Sequence, residues 1–229
     1  MSFETGTRVV AVRHGETAWN VDSRIQGHLD IELNPSGRRQ AERLGHALSA
    51  DGLAAVYSSD LSRAFDTAQA IARHSGLAVR TDLGLRERNF GSFQGQTFQQ
   101  IESRWPELSR RWRRRDPDFA PPGGESLLAF YQRCVAAAER LAAAHPGEAI
   151  AIVAHGGVLD CLYRAATRIS LQAPRTWLVT NASINRLLHS GQGFTLVGWA
   201  DSAHLDADGE GLDEESDGRK VVDAARHAA

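Results

Sequence analysis

Two apolar, β-branched runs stop on a histidine followed by glycine, and this repeated ending constrains the fold more than any other feature of the chain. Residues 8–12 end at Arg13-His14-Gly15, and residues 149–153 end at His155-Gly156-Gly157. A third run, 54–57, ends on Ser58-Ser59-Asp60. Such runs read as buried strands, and helical periods lie between them. Residues 38–48 place Ala41, Leu44, Ala47 and Leu48 on one face, after a turn at 33–37 in which Ser36 is the expected cap. Residues 61–74 predict a helix stopped near Gly76, and 77–81 a short strand. Residues 83–96 have no period and read as a loop, while 97–115 hold two weak helices. Residues 117–124, rich in Pro and Gly, break the chain as a surface loop, and 125–144 carry the longest helical pattern. Another helix runs on from Gly156 to about 168. Residues 183–189 and 194–199 form an antiparallel pair across Ser190-Gly191-Gln192-Gly193. The alternation predicts a single α/β domain over residues 1–204, with a mostly parallel central sheet, an antiparallel edge and helices on both faces.

The chain has 229 residues, 42% of them hydrophobic, enough for a substantial core. Its net charge of -2 hides an asymmetry: residues 201–229 hold nine acids against three bases, so the rest is mildly basic at +4. Residues 205–229 are acidic and aperiodic and read as a mobile C-terminal tail whose loss from residue 206 onward leaves folding and turnover intact. The only lysine, Lys220, lies in that tail. The bias toward arginine reads as a codon effect, yet it means that any anion site in the body must be built from arginine, which grips phosphate or carboxylate through two parallel hydrogen bonds. No run approaches the roughly 20 apolar residues of a membrane span. The N-terminal residues lack a basic-then-apolar export signal, which predicts a cytoplasmic protein without membrane partners. Cys134 and Cys161 are too few for a disulfide framework or a zinc site and read as buried packing residues.

In an open α/β sheet, ligands gather outside the carboxyl ends of the strands. Arg13, His14, Ser58, Ser59, Asp60 and His155 fall there, with Arg63 one helical turn beyond Asp60. Gly156 and Gly157 open a helix whose bare amides can seat an anion. Two histidines and two arginines at one sheet edge suggest phosphate handling. The rival reading is a metal site made by His14 and His155 with Glu87 or Asp160. Arginines beside the histidines oppose a cation, so no metal is expected. His28, His46, His74, His145, His189 and His227 lack the strand–His–Gly context and read as structural or exposed.

The run Arg13-His14-Gly15-Glu16-Thr17-Ala18-Trp19-Asn20 resembles the signature of the histidine phosphatase superfamily, which includes the cofactor-dependent phosphoglycerate mutases. Further segments match in order and spacing along roughly residues 7–200. These are Gln26-Gly27 with the turn at 33–37, residues 58–64 with Thr67-Ala68, residues 85–91, Gly124-Glu125-Ser126, and Ala154-His155-Gly156-Gly157. The resemblance implies that His14 is the nucleophile and becomes phosphohistidine. It implies that Arg13, Arg63 and His155 line the phosphate pocket, that Asn20 adds a polar contact, and that Glu87 is the proton donor. Gln26, Gly27, Gly156, Arg113 and Arg114 are the expected substrate contacts. These roles suit the chemistry. A neutral imidazole is a competent nucleophile, and nearby arginines keep it deprotonated. The same cations meet the charge on the equatorial phosphoryl oxygens. A bound phosphate dianion would favour the protonated form of Glu87, as a leaving alkoxide requires. Without the motif, Glu87 would read as a surface carboxylate paired with Arg86 or Arg88.

Arg110, Arg111, Arg113, Arg114 and Arg115, with Trp105 and Trp112, fall in the expected lid. They read either as a solvated basic face or as a clamp for a second acidic group on the substrate. A body charge of +4 without a stacking module excludes nucleic acid as a partner. The resemblance therefore implies a metal-independent phosphomonoesterase acting on a small phosphorylated metabolite, without a bound cofactor, as a monomer or a homodimer. The alternative is a 2,3-bisphosphoglycerate-dependent phosphoglycerate mutase. An alternative of another class is a phospholigand-binding module, disfavoured because a binder needs neither nucleophile nor acid. Hydrolysis is preferred because the stretch after Glu87, Gly95-Gln96-Thr97-Phe98-Gln99-Gln100, lacks the lysine of the mutases, and the segment between Arg115 and Gly124 is short. Gln94 and the Arg113-Arg114 pair argue the other way.

Overall fold

The structure, a computed structural model, describes residues 6–208. Its centre is strand β1 (Thr7–Arg13), in which Val9 and Ala11 face one side of the sheet and Val10 and Val12 the other. This period of two fixes two buried faces at once, as a strand covered on both sides requires. The remaining strands are β2 (Leu53–Ser58), β3 (Val79–Thr81), β4 (Ala149–Ala154), β5 (Ile184–Ser190) and β6 (Gly193–Asp201). They form one sheet of order β3-β2-β4-β1-β5-β6. The first four in that order are parallel; β5 and β6 complete an antiparallel edge. The expected fold class is borne out, including the antiparallel pair.

Helices cover both faces. Helices α2 (Pro35–Ala47) and α3 (Ser62–Ser75) bring Leu44, Leu48, Ala64, Ala68 and Ile71 against Val10, Val12 and Val153. Helices α6 (Leu127–Ala143) and α7 (Gly156–Thr167) pack Phe130, Ala138, Leu159 and Leu162 against Val9, Ile150 and Ile152. Cys134 and Cys161 are buried in this second layer, as expected. A separate cluster of Ile25, Phe93, Ile101, Trp112 and Phe119 holds together a cap formed by α4 (Phe98–Arg104) and α5 (Pro106–Arg113), the two weak helices of the sequence.

Three local expectations are corrected. Asn34, not Ser36, caps α2, because its side chain accepts the Gly37 N–H while Ser36 already lies in the first turn behind Pro35. A short helix, α1 (Ala18–Val21), follows the His14 loop and is closed by a reciprocal Thr17–Asn20 cap. The chain also stays packed past residue 204: a 3-10 turn at Ala203–Asp208 buries Leu205, whose carbonyl accepts from Arg43 Nη1 on α2 at 2.9 Å. The acidic segment 209–229 lies outside the described residues.

Candidate active site

Strands β1 and β4 are adjacent and in register, Arg13 opposite Ala154, so the residues that follow them emerge side by side. His14 and His155 are 3% and 0% exposed, with ring centroids 5.2 Å apart in a T-shaped arrangement. His14 Nδ1–H donates to the Gly15 carbonyl at 2.7 Å. A carbonyl can only accept, so this bond fixes the tautomer and leaves Nε2 with a free lone pair. Burial, reinforced by the charges of Arg63 and Arg13, holds the His14 pKa well below that of an ordinary imidazole. His155 is displaced in the same direction by burial and by Arg63. Neither ring nitrogen of His155 has a hydrogen-bond partner. Asn181 Nδ2 and the Ala182 N–H donate to the His14 carbonyl at 2.9 and 3.3 Å, anchoring the strand end.

The anion-binding groups reach the same point from other elements. Arg63, in the first turn of α3, donates from Nη1 to Leu29 O at 2.9 Å and from Nη2 to Gly27 O at 2.8 Å. Burial pushes its pKa down to about 10, so it stays charged at neutral pH. The Arg13 guanidinium donates from Nη1 to Val179 O. Asn20 Oδ1 takes the Thr17 N–H at 2.9 Å, while its Nδ2 is buried without a partner. Gly27 turns the chain with φ +54°, a left-handed conformation suited to glycine, and the neighbouring His28 N–H donates to Gln94 Oε1 at 2.7 Å. Gln94 thus supports this turn. His28 is half-buried and its Nε2–H donates to Glu87 O at 2.8 Å, a structural place as expected.

Glu87 lines the same cleft as His14 and is held at the start of α7. Its Oε2 accepts the Gly157 N–H at 2.9 Å and its Oε1 the Arg88 N–H at 2.7 Å. A Cβ on Gly157 would overlap Glu87 Oε1, whereas one on Gly156 would lie no nearer than 3.6 Å to Arg13 Nε. The loop bearing Glu87 is strapped from behind. Arg133 on α6 donates to the carbonyls of Gly84, Arg86 and Glu87 at 2.9–3.2 Å and to Glu125 Oε1 at 2.6 Å, and that same Oε1 accepts the Asn89 N–H at 2.8 Å.

One cleft collects Arg13, His14, Asn20, Gln26, Gly27, Arg63, Glu87 and Gly156. His155, fully buried, packs its ring against that of His14. The lid arginines are elsewhere: Arg113 pairs with Glu102 at 2.5 Å and Arg114 is exposed. Arg110 pairs with Glu107 and Arg111 with Asp116. The solvated-face reading holds for these four, and the clamp expected of Arg113 and Arg114 is not formed. Arg115 differs, turned inward at φ +53° to pair with buried Asp160 at 2.6 Å. Sequence reasoning missed Arg24, Ile25, Phe90 and Arg175, which also line the cleft, as does Gly157, whose amide was expected at an anion seat. Phe90 and Gly157 stand inside segments that carry the family resemblance, but Arg175 lies in a stretch with no period.

A mostly parallel sheet whose strand ends bring a bare imidazole nitrogen, buried arginines and a carboxylate into one cleft has the chemistry that transfer of a phosphoryl group to histidine requires. The chain belongs to the histidine phosphatase superfamily (branch 1), whose family model matches residues 9–202. It is 45% identical to phosphoglycerate mutase-like protein 4 of Arabidopsis thaliana over 88% of each chain. It is 37% identical to a metal-independent phosphoserine phosphatase of the same plant, over 89% of this chain and 85% of that one. Among solved structures, the native mycobacterial glucosyl-3-phosphoglycerate phosphatase superposes with a TM-score of 0.77 at 35% identity, covering 86% of this chain and all of that one. No helix among the described residues is long and apolar enough to cross a membrane.

Proposed function

We propose that this chain is a cytoplasmic, metal-independent phosphomonoesterase that hydrolyses a small phosphorylated metabolite through a phosphohistidine at His14. The observation that carries this reading is the bare Nε2 of a buried, fixed-tautomer His14 in one cleft with the Glu87 carboxylate, Arg13 and Arg63. His14 Nε2 attacks phosphorus as the ester P–O bond breaks. Arg13, Arg63 and Asn20 Nδ2 receive the three equatorial oxygens, and His155 supports the nucleophile. Protonated Glu87 delivers its proton to the leaving oxygen. The carboxylate it becomes then takes a proton from water, and the hydroxide so formed displaces the phosphoryl group from His14 as phosphate. Because the arginines supply the positive charge, turnover survives exhaustive chelation; a loss restored by a divalent ion would overturn that point.

The 45% identical mutase-like relative keeps a mutase reading in play. Hydrolysis is favoured because Arg113 and Arg114, the strongest sequence argument for a mutase, do not face the cleft. Rapid-quench labelling should trap acid-labile, alkali-stable phosphate on His14, and His14→Ala should abolish both label and turnover. With a bisphosphoglycerate primer and 3-phosphoglycerate, phosphate release should exceed isomerisation. Isomerisation faster by about a hundredfold, some 2.7 kcal/mol of barrier, would decide for the mutase.

A further inference from the structure

A second, smaller space adjoins Glu87. It is a cavity of about 50 Å³, in which Glu87, Arg88, Arg115 and Asp160 meet the apolar side chains of Trp112 and Leu127. Glu87, Phe90 and Gly157 line both this cavity and the cleft, so the Glu87 carboxylate borders the two spaces. Asp160 stands three residues after Gly157 on α7, one helical turn from the amide that holds Glu87 Oε2. It is 4% exposed. Its Oδ2 accepts from Arg115 Nη2 at 2.6 Å and from Arg164 Nε at 3.1 Å, while its Oδ1 is buried without a hydrogen-bond partner. The ion pairs answer the charge of Asp160 but not the capacity of its second oxygen, and a buried carboxylate oxygen without a donor is costly. A water needs roughly 10–15 Å³ and two to four polar partners, and cavities that offer both are wet, whereas larger apolar ones stay dry. This cavity offers both.

We infer that this cavity is a water site for the second half of the reaction: Asp160 Oδ1 holds a water beside Glu87, and the phosphohistidine at His14 is hydrolysed by water drawn from there. The inference rests on the reading of His14 as the phosphoryl carrier and Glu87 as its acid–base partner. Once the alcohol has taken its proton, Glu87 is a carboxylate. The water beside it yields a proton to that carboxylate as the water oxygen bonds phosphorus and the His14 Nε2–P bond breaks. The electron pair of that bond returns to Nε2, and Glu87 is again protonated. Asp160 touches neither phosphorus nor substrate, so it is a positioning residue. What it controls is the competition between water and alcohol for the phosphoryl group. A water already held beside Glu87 need not pass the alcohol at the mouth of the cleft, which tilts that competition toward hydrolysis.

The test is the partition of the phosphoenzyme between water and an added alcohol. With p-nitrophenyl phosphate as donor and glycerol as acceptor, the ratio of glycerol phosphate to inorganic phosphate reads that partition. Asp160→Leu removes the acceptor for the water. Because it also strands Arg115 and Arg164, the deciding variant is Leu127→Phe, which fills the cavity and leaves those ion pairs in place. Each should raise the ratio by about fivefold and slow the loss of label from His14 more than its formation. A change that only loosened the fold would slow both steps and leave the ratio where it was. An unchanged ratio in Leu127→Phe that melts cooperatively would overturn the inference, as would crystals of the unaltered protein in which the cavity is dry. Failure of the underlying reading looks different: the unaltered protein would then carry no label on His14 at all.

Discussion

Gly157 has no room for a side chain, because a Cβ there overlaps Glu87 Oε1, whereas Gly156 next to it has ordinary space. The closest obstructed atom is the far end of a flexible carboxylate, and the Phe130 ring edge at 3.1 Å needs to give only by a few tenths of an ångström, so Gly157→Ala should displace Glu87 at small cost in folding. The expected result is a fall in kcat of roughly ten- to a hundredfold, the scale of a lost general acid, with Tm nearly unchanged; Gly156→Ala should stay within a few-fold of the parent. Equal effects of the two substitutions would count against Glu87 as the proton donor. The buried histidines make a second prediction. His14 and His155 are held neutral by burial, with pKa values below 6.5, while the unfolded chain protonates them near 6.5. Below pH 6.5 the unfolded state therefore binds more protons, and stability falls as pH drops, by up to about 1.4 kcal/mol per pH unit for each histidine. Chemical denaturation between pH 7 and pH 5 should show this slope, and His155→Asn should flatten it. At this scale the sequence was informative only in part. A histidine after an apolar strand and before glycine can be read as a site residue, but which of two adjacent glycines gives way to a carboxylate depends on a loop 70 residues away.

Arg133 shows how an element can matter to a site it never enters. Its guanidinium, projected from α6, ties three carbonyls of the Glu87 loop to the Glu125 carboxylate. Arg133→Lys keeps the charge but cannot span these acceptors in a fork, and Arg133→Met removes every donor. Turnover should drop in the order arginine, lysine, methionine, by about tenfold or more for methionine, with kcat affected more than KM because the phosphate seat is built from other elements. Phosphonate binding that weakens in parallel with kcat would instead point to collapse of the cleft. The helices other than α1 were legible in the sequence, α4 and α5 only weakly. The outcome for the α5 arginines follows from the helical period once the buried face is known: Ser109 and Trp112 turn inward, so Arg110, Arg111, Arg113 and Arg114 turn to solvent. The sequence could not say this beforehand, because Trp112 is recruited not only by Phe98 on α4 but by Phe90 and Phe93 from a segment with no period of its own.

Across the whole molecule, the site depends on a strand order that no local pattern encodes. The chain makes β2 and β3 before it returns to lay β4 between β1 and β2, and only that insertion sets His155 beside His14. The alternation of strands and helices implied a parallel sheet and the side on which ligands gather, while the adjacency of the two His-Gly endings came through the family pattern. The far edge of the domain was misjudged for a related reason. Composition turns acidic after Asp201, so the packed body was expected to end at residue 204. One apolar side chain, Leu205, is 5% exposed in the 3-10 turn that docks on α2, and a single leucine in a polar stretch carries no periodic signal. Two shortened versions of the chain isolate its contribution. One stops after Asp208 and the other after Ser202, so both lack residues 209–229 and they differ only by the turn. Burying a leucine is worth about 1.5–3 kcal/mol, and the Arg43 bond to its carbonyl adds about 1 kcal/mol. At roughly 2–4 °C per kcal/mol for a domain of this size, the version ending at Ser202 should melt at least about 5 °C below the one ending at Asp208. Leu205→Ala in the longer version should reproduce most of that difference, because α2 loses the same apolar cover. Identical melting of all three would show that the domain ends, as its composition suggested, at residue 204.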